Sequence, residues 1–157
     1  MPNIQTSELV DEGEYRRTRL AEAAGAEHLG LTVYELAPGQ GMHYHYHLQR
    51  EELLVVLEGT VAVRTPTGRR DVPEGEVVAF PRGERGAHGY ENRGDRPVRL
   101  LMFSEQNAPN VSVYPDANQV GIYDVAAPDE RRFGALFDLA DAVSGYGGAQ
   151  PGAAKDG

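Results

Sequence analysis

Between Gly39 and Gly59 the chain repeats imidazoles at every second position, His43, His45 and His47, and an acidic pair, Glu51 and Glu52, follows after a three-residue connection. Successive side chains of a strand point to opposite faces, so this spacing predicts a strand with three histidines on one side and Tyr44 and Tyr46 on the other. On a helix the same spacing would splay the rings by about 200° at each step. Two readings stand at this point: a polar face on an exposed strand, or a row of metal ligands, since neutral imidazole is a common ligand and a carboxylate adds a harder oxygen donor.

Composition narrows the setting. The 157 residues suit one domain, and 19 glycines and 10 prolines among valines, leucines and tyrosines favour short strands and tight turns over a helical bundle. A net charge of −9 argues against a nucleic-acid partner, which needs a basic face. There is no cysteine, hence no thiolate metal site and no thiol nucleophile, so any metal must sit on nitrogen and oxygen. The first residues carry neither a basic nor an apolar leader segment, and no run of residues has the length and apolarity of a membrane span. The expectation is a soluble, cytoplasmic protein without a membrane or nucleic-acid partner.

Along the chain, residues 1–28 read as an N-terminal arm or edge strand; Tyr15 to Leu20 suits an edge strand, whereas Leu20, Ala21, Ala23 and Ala24 suit a short helix. From Leu31 to Ser104, short alternating or apolar runs are punctuated by turn residues roughly every ten positions, the pattern of an antiparallel sandwich or barrel. The run Leu53 to Leu57 is apolar on both faces and calls for cover on both, the second cover being a candidate for a neighbouring subunit. Further edge strands are expected at Val111 to Tyr114 and Val120 to Tyr123. Phe133, Leu136, Phe137, Ala140 and Val143 recur at helical spacing, which predicts a short C-terminal helix within 126–144, and the glycine- and alanine-rich stretch 145–157 reads as a disordered tail.

Two glycine-rich stretches set the functional argument. The first runs Gly39, five residues, His45, one, His47, four, Glu52, six, Gly59; the second runs Gly75, five, Pro81, one, Gly83, four, His88, three, Asn92. This pair of spacings resembles the two motifs of the cupin superfamily. The first agrees throughout, and the second carries two extra residues between Gly83 and His88. The resemblance spans about residues 31–104, and the stretches Arg64 to Gly68, Val77 to Pro81 and Gly86 to His88 with Glu91 and Asn92 resemble small single-domain cupins.

The resemblance implies an all-β fold, a double-stranded β-helix or jelly-roll barrel over residues 29–125, holding one divalent metal ion. By position, His45, His47, Glu52 and His88 would be its ligands, and manganese, iron, nickel, cobalt, copper or zinc would suit three nitrogens and one oxygen. Glu51 and Glu52 alternate faces, and the spacing to Gly59 selects Glu52. His43 lies one step farther along the ligand face, where it would line the pocket mouth or be solvated. Tyr34, Tyr90, Phe80 and Met102 are candidate substrate-pocket residues. Arg82 and Arg85, before His88, would either be solvated or meet an anionic substrate. The expected partner is a small oxygenated molecule, bound for a metal-dependent reaction (dioxygenase, isomerase or decarboxylase) or held without catalysis for sensing or storage. A homodimer is expected.

Overall fold

The computed structural model describes residues 1–124 and 133–143. Among these residues lie thirteen strands and a one-turn α-helix, besides short 3-10 turns. In chain order these are β1 (Val10–Asp11), β2 (Arg16–Arg19), α1 (Leu20–Ala23), β3 (Leu29–Leu36), β4 (Gly41–His47), β5 (Glu52–Glu58), β6 (Thr60–Thr65), β7 (Gly68–Pro73), β8 (Val77–Phe80), β9 (His88–Glu91), β10 (Val98–Glu105), β11 (Asn110–Tyr114), β12 (Gln119–Tyr123) and β13 (Gly134–Asp138). They form two sheets, one ordered β1-β2-β3-β10-β5-β8 and the other β13-β12-β11-β4-β9-β6-β7. The fold is therefore all-β with two layers. Neither sheet closes on itself, so the expected jelly-roll barrel takes the form of two open sheets that share a core. None of the helices among the described residues is long and apolar enough to cross a membrane.

Alternation places the core between the sheets. In β5, Glu52, Leu54 and Val56 are buried while the intervening residues are more exposed. Leu54, Val56, Leu100 and Leu36 from the first sheet pack with Val61, Val63, Val72 and Tyr90 from the second. Each such buried aliphatic side chain contributes roughly 1.5–3 kcal/mol relative to exposure. The turn that leads from β5 into β6 uses Gly59 at φ 85°, a left-handed conformation that a β-carbon resists.

The outer face of the first sheet is apolar as well. Leu20, Val33 and Leu101 form a second cluster there, joined by Leu9, Val55 and Leu57, so the N-terminal segment covers part of this face. Leu53, Phe103 and Val77 remain 39%, 41% and 58% exposed. The ambiguous stretch near residue 20 turns out to hold both elements it suggested, since β2 runs directly into α1.

Residues 68–73 form β7 and pair with β6 along six positions. One expectation needs correction. The C-terminal helix is not formed in its described part: residues 134–138 are strand β13, paired with β12 from Gln119↔Asp138 to Tyr123↔Gly134. A single turn of 3-10 helix at Leu139–Asp141 follows. The helical spacing of Phe133, Leu136 and Phe137 found no apolar surface to dock on, and these residues are 54%, 55% and 48% exposed. An amphipathic helix depends on such docking, whereas the open edge of β12 offers backbone hydrogen bonds at once. The rest of that expected helix and the expected tail lie outside the described residues, apart from Ala142 and Val143.

Candidate metal centre

The histidine strand contributes its ligand face to the interior. In β4, His45 and His47 are buried while Tyr44 and Tyr46 are only partly so. His45 sits directly opposite His88 of β9, and His47 opposite Ser112 of β11. The carboxylate comes from the other layer: Glu52 opens β5 and pairs with Phe80 of β8. Glu51, its neighbour, is exposed. Nitrogen donors from one sheet thus meet an oxygen donor from the other.

Donor atoms of His45, Glu52 and His88 lie within 4.8 Å of one another, and all three residues are buried. Glu52 Oε2 is 3.2 Å from Nε2 of His88 and equally 3.2 Å from Nε2 of His47, which ties the fourth residue to the same carboxylate. This buried histidine and glutamate cluster is able to coordinate one divalent metal ion.

The surroundings test whether a metal fits. Each ring is held through Nδ1. That of His45 meets the His43 carbonyl at 2.7 Å, that of His88 the Gly86 carbonyl at 2.9 Å, and that of His47 meets Asn110 Oδ1 at 3.1 Å and Ser112 Oγ at 3.0 Å. A carbonyl oxygen can only accept, so Nδ1 of His45 and His88 carries a proton, and Nε2 is the ring atom left to face the interior. Nε2 of His88 is buried and makes no hydrogen bond, although Glu52 Oε2 is near. Lone pairs fixed by outer hydrogen bonds, one left orphaned beside a carboxylate, form a donor set that suits a cation.

Electrostatics agree. Burial, followed by the neighbouring His88 and His47, pushes the pKa of His45 down to about 4, so its ring is neutral at pH 7. Burial alone would raise Glu52, but its contacts with His47 and His88 outweigh this and hold the carboxyl well below the usual range. Phe80 stacks on His88 with ring centroids 3.8 Å apart.

The loop with two extra residues is absorbed without displacing His88. Glu84–Gly86 forms one 3-10 turn, and the Gly83 amide donates to the His47 carbonyl at 2.8 Å, anchoring the loop to β4. A β-carbon on Gly86 would collide with the Pro81 carbonyl, so the turn packs too closely for any larger residue. Asn92 is buried and donates to the carbonyls of Leu36 and Arg96, both at 2.8 Å, which makes it a turn-former.

A cavity of about 500 Å³ opens onto Glu52 and is lined by Tyr34 and Met102 among others. The remaining pocket candidates fall elsewhere. Tyr90 is buried within the core cluster. His43 is 80% exposed, 3.9 Å from Glu14, because the register of β4 against β9 shifts between Met42 and His45 and breaks the alternation. It borders a separate groove on the outer side of its sheet with Tyr44 and Arg64. Arg85 is exposed on the 3-10 turn, where its charge stays hydrated, and Arg82 is engaged by Glu105 at 2.6 Å; neither lines the cavity. Sequence reasoning missed Asn110 and Ser112, though two polar residues at strand spacing in an otherwise apolar strand were a legible signal. It also missed the inward orientation of Arg17 and Arg50.

Comparison with known proteins follows this geometry. A family model, the cupin domain, matches residues 32–104. A curated relative, the tetracenomycin polyketide synthase protein TcmJ of Streptomyces glaucescens, is 32% identical over 97 residues, which cover 62% of this chain and 64% of that protein. The chain thus spans less than two thirds of that relative. Among solved structures, a sugar phosphate isomerase from Silicibacter pomeroyi is similar with a TM-score of 0.73 at 24% identity, over 82% of this chain and 79% of that one. At that identity the likeness speaks for the fold. The polyketide cyclase RemF from Streptomyces resistomycificus is similar with a TM-score of 0.59 at 25% identity, over 70% of this chain and 82% of that one.

Proposed function

From the premise that this chain belongs to the cupin superfamily, we propose that it binds one divalent metal through His45, His47, Glu52 and His88 and acts as a metal-dependent enzyme on a small oxygenated molecule. The observation that carries this reading is the set of Nδ1 anchors that leaves three imidazole Nε2 atoms around one buried carboxylate. Manganese, iron, nickel, cobalt, copper and zinc all accept such a donor set. The bound ion would supply Lewis acidity toward a substrate oxygen.

The protein's own groups do the rest. The cavity over Glu52 is within the size range of small-molecule sites. Burial raises the pKa of Tyr34, with Arg17 opposing, so its phenol stays protonated and serves as a hydrogen-bond donor to a substrate oxygen. Met102 and the aliphatic core beneath exclude water from the floor. The names of two relatives, a polyketide synthase protein and a polyketide cyclase, make poly-β-carbonyl compounds the first substrate class to try. The exposed Leu53, Phe103 and Val77 on the outer face support a homodimer through that face.

Elemental analysis of protein purified without a metal-affinity tag tests the metal. Near-stoichiometric metal that disappears in a His45→Ala/His47→Ala variant supports the reading; an equally metal-poor wild type and variant overturn it. With metal present, turnover of β-diketones and poly-β-ketones separates an enzyme from a non-catalytic sensing or storage module, which would bind them unchanged.

A further inference from the structure

The cavity that ends on Glu52 has a cationic wall. Arg17, Arg19 and Arg50 line it together with Tyr34 and Met102. The register explains the first two. Arg17 lies opposite Tyr34, and Arg19 opposite Thr32, so the inward row of β3 continues onto β2 as guanidinium groups. Arg50 enters from the connection between His47 and Glu52 and lines the cavity together with Glu52.

The groups facing this wall satisfy it only in part. Arg17 is met by Glu12 at 2.6 Å and is hydrogen-bonded with Tyr34. Glu22 and Glu27 line the cavity but are exposed, and Glu52 belongs to the donor cluster. Arg50 is 8% exposed; its Nη2 donates to the Asn107 carbonyl at 3.1 Å, and its Nε is buried with no partner. Nε of Arg17 is buried without a partner too. A guanidinium carries five N–H donors in a planar fork, and burying it under-satisfied is costly unless an anion completes the set. The fork matches the paired oxygens of a carboxylate or phosphate.

We propose that the ligand of this cavity carries an oxyanion, held by Arg50 with Arg17, while its carbonyl or hydroxyl oxygens face His45, Glu52 and His88. The second half of this statement rests on the metal-centre reading; the oxyanion cradle does not. A neutral ligand of the same size leaves the two Nε donors unpaired and binds more weakly.

Succinylacetone and its methyl ester test the cradle, because they share one β-diketone and differ by a carboxylate. Titration calorimetry on the protein as purified, with metal content measured in each sample, gives the comparison. The acid should bind about tenfold more tightly than the ester, the loss expected for one charge-assisted hydrogen-bonded pair. Arg50→Met should erase this preference with metal content unchanged, and Arg50→Lys should keep part of it. Equal affinity of acid and ester in the wild type, or a preference that survives Arg50→Met, overturns the proposal. Inorganic phosphate, titrated into chelator-treated protein, reads the cradle without the metal. Phosphate binding lost in Arg50→Met supports the cradle even if the metal reading fails. Competition between phosphate and succinylacetone marks a phosphate-accepting cradle, and a preference for the acid without such competition marks one fitted to carboxylates.

Discussion

Phe80 and His88 lie face to face, their ring planes 9° from parallel and their centroids 3.8 Å apart, although they belong to different sheets. Phe80 is also the strand neighbour of Glu52. One aromatic ring therefore positions an imidazole and flanks the carboxylate it faces. Phe80→Ala should cost about 3–5 kcal/mol in urea denaturation, as truncation of a buried aromatic does. Phe80→Leu should keep the fold and weaken metal binding by roughly tenfold in a chelator competition, because the His88 ring loses its rest. Unchanged metal affinity in Phe80→Leu would show that the Gly86 hydrogen bond orients His88 by itself.

Asn110 and Ser112 hold His47 from the adjacent strand, and Asn110 also donates to Ser112 Oγ at 3.1 Å. Asn110→Leu removes the amide that orients the ring. Metal affinity should fall by about tenfold or more, while the secondary structure, followed by circular dichroism, is retained. Ser112→Ala should have the smaller effect, since Asn110 Oδ1 still accepts the Nδ1 proton. The reverse order of severity would identify Ser112 as the main anchor.

Acid should destabilise the metal-free protein in a defined window. His45 takes up its proton at about 4 in the folded protein and at 6.5 when unperturbed. Between these values the unfolded chain binds the proton and the folded chain does not, so stability falls as pH drops from 6.5 to 4 and this group removes no more below that. The span corresponds to about 3 kcal/mol by linkage. Glu52 acts in the same direction at lower pH: its folded pKa is depressed below 4.5, so its stabilisation is present above 4.5 and is lost as pH falls further. Urea midpoints of chelator-treated protein at pH 7, 5.5 and 4.5 read this slope, and His45→Gln should flatten its upper part. An equal slope in wild type and variant would place the acid sensitivity elsewhere.

Phe103 lies between Leu31 and Leu53 on the outer face of the first sheet and is 41% exposed. If that face joins two copies, sedimentation equilibrium should find a dimer for the wild type and a monomer for Phe103→Glu, with the metal content of both the same. A monomeric wild type would remove the homodimer from the proposal.

How much of this was legible beforehand varies from residue to residue. The spacing from Gly39 to Gly59 and from Gly75 to Asn92 was enough to single out His45, His47, Glu52 and His88, and the structure brings these four together between two sheets. The choice of Glu52 over Glu51 also followed from the chain itself: alternation admits only one of the two, and the spacing to Gly59 selects Glu52. His43 did not follow the same rule, because the irregular register of β4 against β9 depends on a strand more than forty residues away.

Local rules determine what a few neighbouring residues can settle. Alternating side chains share a face, glycine permits left-handed turns, and polar runs separate strands, so most of the central strands and the candidate donor set could be read along the chain. Which side of a charged strand faces inward is decided by register with distant strands. Thus Arg17 and Arg19 lie in a stretch that reads only as an edge strand, and pairing with Tyr34 and Thr32 makes them a cavity wall. The same holds at the other end, where a helical apolar pattern became β13 because the fold offered it an unpaired strand edge and no surface to bury its stripe. Sequence singled out the candidate donors; only the tertiary structure decided what surrounds them, since burial and pairing belong to residues that meet across the fold.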